Sequence, residues 1–210
     1  MINFLRCIIL ISTLVSASVT WAAEPYDELQ TEWAKGKYEL SGSAQEKFLE
    51  QLLSRAEAAK QANPNSAEVF AWSGIVYSTY ASVKGGMGAL KFAKQAKKDL
   101  EKSIDLDSSA LQGAASTTLG TLYFKVPGWP VAFGNDKKAQ QYLDAALALN
   151  PKGIDINYWL AEYAASKKDS AKALQYLATA AAAPARDDRP VADKGRRLEV
   201  ETLKAQIEAP

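Results

Sequence analysis

The chain has 210 residues, 48% of them hydrophobic, and a formal net charge of +1. That is enough for one domain with a sizeable core, and it gives no bulk attraction to nucleic acid. Histidine is absent and Cys7 is the sole cysteine, which excludes imidazole and thiol nucleophile–base pairs and the usual zinc ligand sets.

Residues 1–22 read as a secretory signal peptide. Arg6 gives a minimal positive start, Cys7 to Val15 is an apolar run, and Thr20-Trp21-Ala22 places small residues where a peptidase cuts, predicting cleavage after Ala22. The run is short for a membrane span. A periplasmic or secreted protein with no membrane span after cleavage is expected, with residues 23–210 as a single domain.

The remaining chain shows helical periodicity and no strand pattern. Tyr26 to Lys35 and Ser43 to Ala62 read as a first helical pair (26–62). Three more pairs follow at 67–106, 110–150 and 156–183, then a charged helix from Val191 to Glu208. Asn63-Pro64, Asn150-Pro151 and Ala183-Pro184 end alanine-rich runs, because proline cannot continue a helix interior. Ala139, Tyr142, Leu143 and Ala146 form a buried stripe that Ala173, Tyr176, Leu177 and Ala180 repeat 34 residues later. Ala96, Leu100 and Ser103 repeat it earlier, with Asp99 at the tyrosine position. The preceding helices also align: Ser73-Gly74 with Tyr77, Leu119-Gly120 with Tyr123, and Leu160-Ala161 with Ala164.

A 34-residue period with small residues in both helices resembles the tetratricopeptide repeat family, on Leu119, Gly120, Tyr123, Ala139, Leu143, Ala146 and Pro151 in the best copy. The sequence departs from that pattern at the usual first-helix tryptophan, replaced by Phe70, Ser116 and Asn157. It also carries insertions of about 7 and 10 residues between the helices of two repeats. The Gly-rich and GWP-type insertions are similar to those of exported bacterial tetratricopeptide proteins and of the tetratricopeptide T component associated with TRAP-type periplasmic transporters. The resemblance implies an all-α fold: a short right-handed solenoid of three repeats with helical caps, the last helix presenting a solvated face at the open end.

It also implies a concave groove lined by first helices. Carried over by position, the groove residues are Ile75, Ser78 and Thr79, then Thr117, Thr121, Phe124 and Lys125, then Asp155, Tyr158 and Glu162. This lining lacks the dense basic pattern that clamps a C-terminal carboxylate. The insertion Lys125–Gly134 contains Trp129 and Phe133, which either plug the repeat core or stand out as anchors for a partner. The other insertion, Lys84–Phe92, lacks Walker spacing; Met87, Leu90 and Phe92 are expected to extend its second helix. Both insertions fall on one edge of the array. Lys91, Lys94, Lys97, Lys98 and Lys102 read as a solvated helix face, and Tyr158, Trp159, Tyr163 and Tyr176 as core. The carboxylate pairs Asp105/Asp107 and Asp187/Asp188 give no reason for a raised pKa.

These residues predict a non-catalytic envelope module, with no cofactor or metal, that binds a protein partner through the groove and the insertion edge. The alternative is a small-ligand-binding accessory subunit of a transport system, which requires an enclosed apolar cavity.

Overall fold

The computed structural model describes residues 24–209, so the expected signal peptide lies outside the described residues. Among those described, the fold is all-α. Its helices are α1 (Asp27–Tyr38), α2 (Gly42–Ala62), α3 (Ala67–Lys84), α4 (Ala89–Leu106), α5 (Ala114–Lys125), α6 (Asp136–Leu149), α7 (Ile154–Ser166), α8 (Ser170–Ala181) and α9 (Pro190–Glu208). No helix among them is long and apolar enough to cross a membrane. Side-chain caps begin three of them: Ser66 accepts from the Val69 amide, Asn135 from Lys138 and Asp169 from Lys172.

Each helix packs on its sequence neighbours from α1 through α9. The odd-numbered helices also touch one another in order, α1 on α3, α3 on α5, α5 on α7 and α7 on α9. The even helices form an outer layer. Small residues set this close spacing. A Cβ on Gly74 would lie 2.5 Å from Leu100, and one on Gly120 would lie 2.8 Å from Leu143.

One polar cluster inside the core joins α2, α3 and α4. Ser73 stands where the next pair has Leu119, and Asp99 where it has Tyr142. The two meet: the Ser73 hydroxyl donates to Asp99 Oδ2 at 2.7 Å, and Lys60 Nζ donates to the same oxygen at 2.8 Å. Gln95 donates to Asp99 Oδ1. Buried charge is tolerated here because it is fully partnered.

The structure departs from the expected open array at its far end. Helix α9 keeps a solvated face, with Lys194, Leu198, Glu201 and Lys204 exposed, but it does not sit at an open end. It runs back onto α1, so the odd helices close into a ring of five. Gly195 makes this possible, since a Cβ there would collide with the Tyr38 ring. Glu199 completes the seam, accepting from the Tyr38 hydroxyl at 3.2 Å and pairing with Lys37 at 3.1 Å.

The second departure is local. The helix expected from Ala110 begins at Ala114, because Leu111, Gln112 and Gly113 all have positive φ, at 49°, 56° and 78°. The left-handed region costs an L-residue with a Cβ roughly 1–2 kcal/mol, and two of these three carry one.

Gly195→Val should therefore destabilise the protein by about 1–3 kcal/mol in urea unfolding, as overpacking does. Gly88→Ala is the control: Gly88 has φ −64° and nothing within 4 Å of a Cβ, so its stability should hold or rise.

Candidate functional site: a cavity inside the helix ring

The odd helices surround a cavity of about 1360 Å³ that opens to solvent. This exceeds the roughly 300–1,000 Å³ common for small-molecule sites. Its walls differ in character. The α3–α5 side contributes Ile75, Ser78 and Thr79 with Thr117, Thr118 and Thr121. These threonines look polar in sequence, but the hydroxyls of Thr117, Thr118 and Thr121 donate back to the carbonyls of Gly113, Ala114 and Thr117 on their own segment. Thr79 accepts from Trp33 Nε1 at 2.8 Å. The hydroxyl hydrogens of Thr117, Thr118 and Thr121 are therefore not free to donate to a ligand.

The opposite side, from α1, α7, α9 and the turn before α9, is charged. Asp155 Oδ2 accepts from Arg186 Nη1 at 2.5 Å, and its Oδ1 from Arg196 Nε at 2.7 Å. Arg196 is only 3% exposed. Its guanidinium lies 4.4 Å from the Tyr158 ring centroid and 5.1 Å from that of Trp159. Lys37 and Lys125 approach the Trp159 ring from 5.9 and 5.8 Å. Lys125 also pairs with Glu162, which accepts from the Tyr158 hydroxyl at 2.6 Å. Cations on the cavity lining outnumber carboxylates: Lys37, Lys125, Lys152, Arg186, Arg189 and Arg196 against Asp155, Glu162, Asp188 and Glu199.

Electrostatics follow from this crowding. Burial pushes the Asp155 carboxyl up, but the guanidinium charges of Arg196, Arg186 and Arg189 outweigh it and hold the group well below the usual carboxylate range. Burial lowers the Lys37 ammonium to about 8, and the Arg196 charge adds to that against the opposing pull of Glu199. Burial also raises Tyr38 and Tyr158 well above the usual phenol range, with Glu199 and Glu162 contributing.

Most of the groove residues expected from sequence meet in this cavity. Ile75, Ser78, Thr79, Thr117, Thr121, Lys125, Asp155, Tyr158 and Glu162 all line it. Phe124 does not: it packs edge-on against Tyr163, 5.3 Å between centroids, in the seam between α5 and α7. Tyr158 and Trp159, expected as core, line the cavity while packing on each other.

The two insertions converge on the cavity mouth, where Gly85, Gly86, Met87, Leu90, Pro127 and Val131 contribute. Met87 precedes α4 instead of extending it and is 91% exposed, while Phe92 packs inward on Tyr80 at 4.6 Å. Trp129 and Phe133 separate. Phe133 folds back edge-on to Tyr123 at 5.6 Å, as a core plug would, whereas Trp129 stands 90% exposed. The loop base holds this geometry: Gly134 N donates to Pro127 O at 2.9 Å and Asn135 N to Tyr123 O at 2.8 Å. A Cβ on Gly134 would strike the Val126 carbonyl. Lys91, Lys94, Lys98 and Lys102 are exposed on α4, and Lys97 pairs with Glu101.

Sequence reasoning missed Lys37, Arg186, Arg189 and Arg196. The available signal was Gly195, a glycine inside an otherwise polar helix, which marks close backbone approach and hence an inner position for α9. No protein-family model matches the chain, and no curated protein matches it.

Lys37 gives the site a pH signature. Between about pH 8 and its ordinary value of 10.5, the unfolded chain holds a proton on Lys37 that the folded chain has released, so stability rises with pH in that window. Above the ordinary tyrosine value of 10.0 the unfolded tyrosines ionise while Tyr38 and Tyr158 do not, which reverses the trend. Urea unfolding from pH 7.5 to 11 should show a maximum near pH 10, and Lys37→Met should flatten the rise.

Proposed function

We propose that this chain is an exported ligand-binding protein, a tetratricopeptide-like array closed into a ring around a binding cavity. The small-residue contacts at Gly74 and Gly120 support the repeat reading, since they fall at the packing positions that the 34-residue pattern assigns. The closure of α9 on α1 carries the ligand reading. It bends a shallow groove for an extended peptide into a deep concave volume with one uncharged wall of aliphatic and hydroxyl side chains and one charged wall. A small-molecule accessory subunit of an envelope transport system fits this shape better than an open protein-docking groove does.

The measurement is native mass spectrometry of the mature chain, purified without detergent from cells. A small-molecule adduct that is lost on unfolding is expected. A bare mass, with no rise in melting temperature when cell extract is added back, sinks the reading.

A second reading concerns the mouth. Trp129 and Met87 are about nine-tenths exposed on the two insertion tips, and large apolar groups held in water by a stapled loop suit a protein partner. Trp129→Ala should change unfolding free energy by less than about 0.5 kcal/mol while abolishing recovery of any envelope partner. Phe133→Ala, which removes a half-buried ring, should cost roughly 2 kcal/mol. Unchanged recovery with Trp129→Ala removes the tip from the interface.

A further inference from the structure

Three guanidinium nitrogens at the charged wall are buried without a well-aligned hydrogen bond: Arg186 Nη2, Arg189 Nε and Arg196 Nη1. Two of them have a carboxylate nearby in poor alignment. Arg196 Nη1 is 2.6 Å from Glu199 Oε2, and Arg189 Nε is 3.6 Å from Asp188 Oδ2. Leaving a buried donor without an aligned acceptor is unfavourable, and more so when it is charged. All three arginines line the cavity. Their carboxylates are shared: Asp155 serves Arg186 and Arg196, and Asp193 serves Arg186 and Arg197. Donors therefore exceed well-placed acceptors at one wall of the cavity.

The facing wall carries no charge and most of the cavity's aliphatic surface lies there and at the mouth. Ile75 and the back-bonded threonines form the α3–α5 wall, and Met87, Leu90 and Val131 form the mouth. A ligand that satisfies both walls carries an anionic oxygen head and an apolar body.

We propose that the cavity binds an amphipathic anion, with its carboxylate or phosphate head on Arg186, Arg189 and Arg196 and its hydrocarbon body along the α3–α5 wall toward the mouth. An oxyanion supplies two or three acceptors to guanidinium forks whose planar geometry matches it. Trp159, flanked by Arg196, Lys37 and Lys125, sits where the head would change its surroundings. The same chemistry describes a free fatty acid and a single-chain phospholipid, and the probes below distinguish them. The proposal rests on the ligand-binding reading above.

The test is calorimetric titration of the mature wild-type chain with dodecanoate, lauroyl-lysophosphatidylglycerol, dodecanol and acetate, with tryptophan fluorescence as a second readout. At least one of the two anionic amphiphiles should bind at least tenfold more tightly than dodecanol, and acetate far more weakly. Whichever anion binds more tightly identifies the source. Arg186→Gln, verified as folded by circular dichroism, should bring the anion-to-alcohol ratio toward unity while leaving dodecanol affinity unchanged. Equal affinity for the anions and dodecanol overturns the anion head but leaves a ligand-binding cavity. Acetate binding as tightly as dodecanoate overturns the apolar body. No binding by any of the chains overturns the ligand-binding reading together with this one.

Discussion

The packing of Gly195 against the Tyr38 ring decides what kind of surface this protein has. Helix α9 reaches α1 because Gly195 has no side chain to strike the Tyr38 ring, and Glu199 then ties Lys37 and Tyr38 to the seam. Without that contact, the odd helices would present an open concave face. With it, they bound an interior. Everything distinctive about the site follows, since charges that would be solvated on an open groove become partly desolvated inside a ring, where their interactions strengthen.

That desolvation explains why the charged wall is a network and not a set of separate pairs. Asp155 serves two arginines, Glu199 serves Lys37, Tyr38 and Arg196, and aromatic faces support the cations that carboxylates do not fully satisfy. Such clusters are poor contributors to stability because burial of the ions offsets their attraction. Their presence on a cavity wall, beside a facing wall where Thr117, Thr118 and Thr121 bond back to their own segment and Thr79 bonds to Trp33, separates the lining into a charged and an uncharged half. The core elsewhere follows the opposite rule: Asp99 is surrounded by Ser73, Lys60 and Gln95 and faces no cavity.

The helices were legible because their signals are local. Proline after Asn63, Asn150 and Ala183, small residues at packing positions and the 3.6-residue apolar period place the helices to within a few residues, and Asp136–Leu149 matches at both ends. The first-helix positions that line the cavity were also legible, because a repeat carries each position to the same face. The exceptions have physical causes. Phe124 is at a lining position by count but is drawn into the α5–α7 seam by Tyr163. The left-handed turn at Leu111–Gly113 breaks a helix that composition alone would continue. Trp129 and Phe133 are four residues apart in one loop, yet the Gly134–Pro127 staple turns one ring inward and the other out.

By itself the sequence determined the all-α architecture, the alternation of helices between inner and outer layers, and which small residues permit their close approach. These depend on contacts between neighbours in the chain. Only the tertiary structure decided that the array closes, that α9 belongs to the inner layer, and that Lys37 and Arg196, 159 residues apart in the chain, share one wall. The reason is accumulated geometry: small angles between successive helix pairs add along the chain, and no local pattern states whether their sum brings the last helix back to the first.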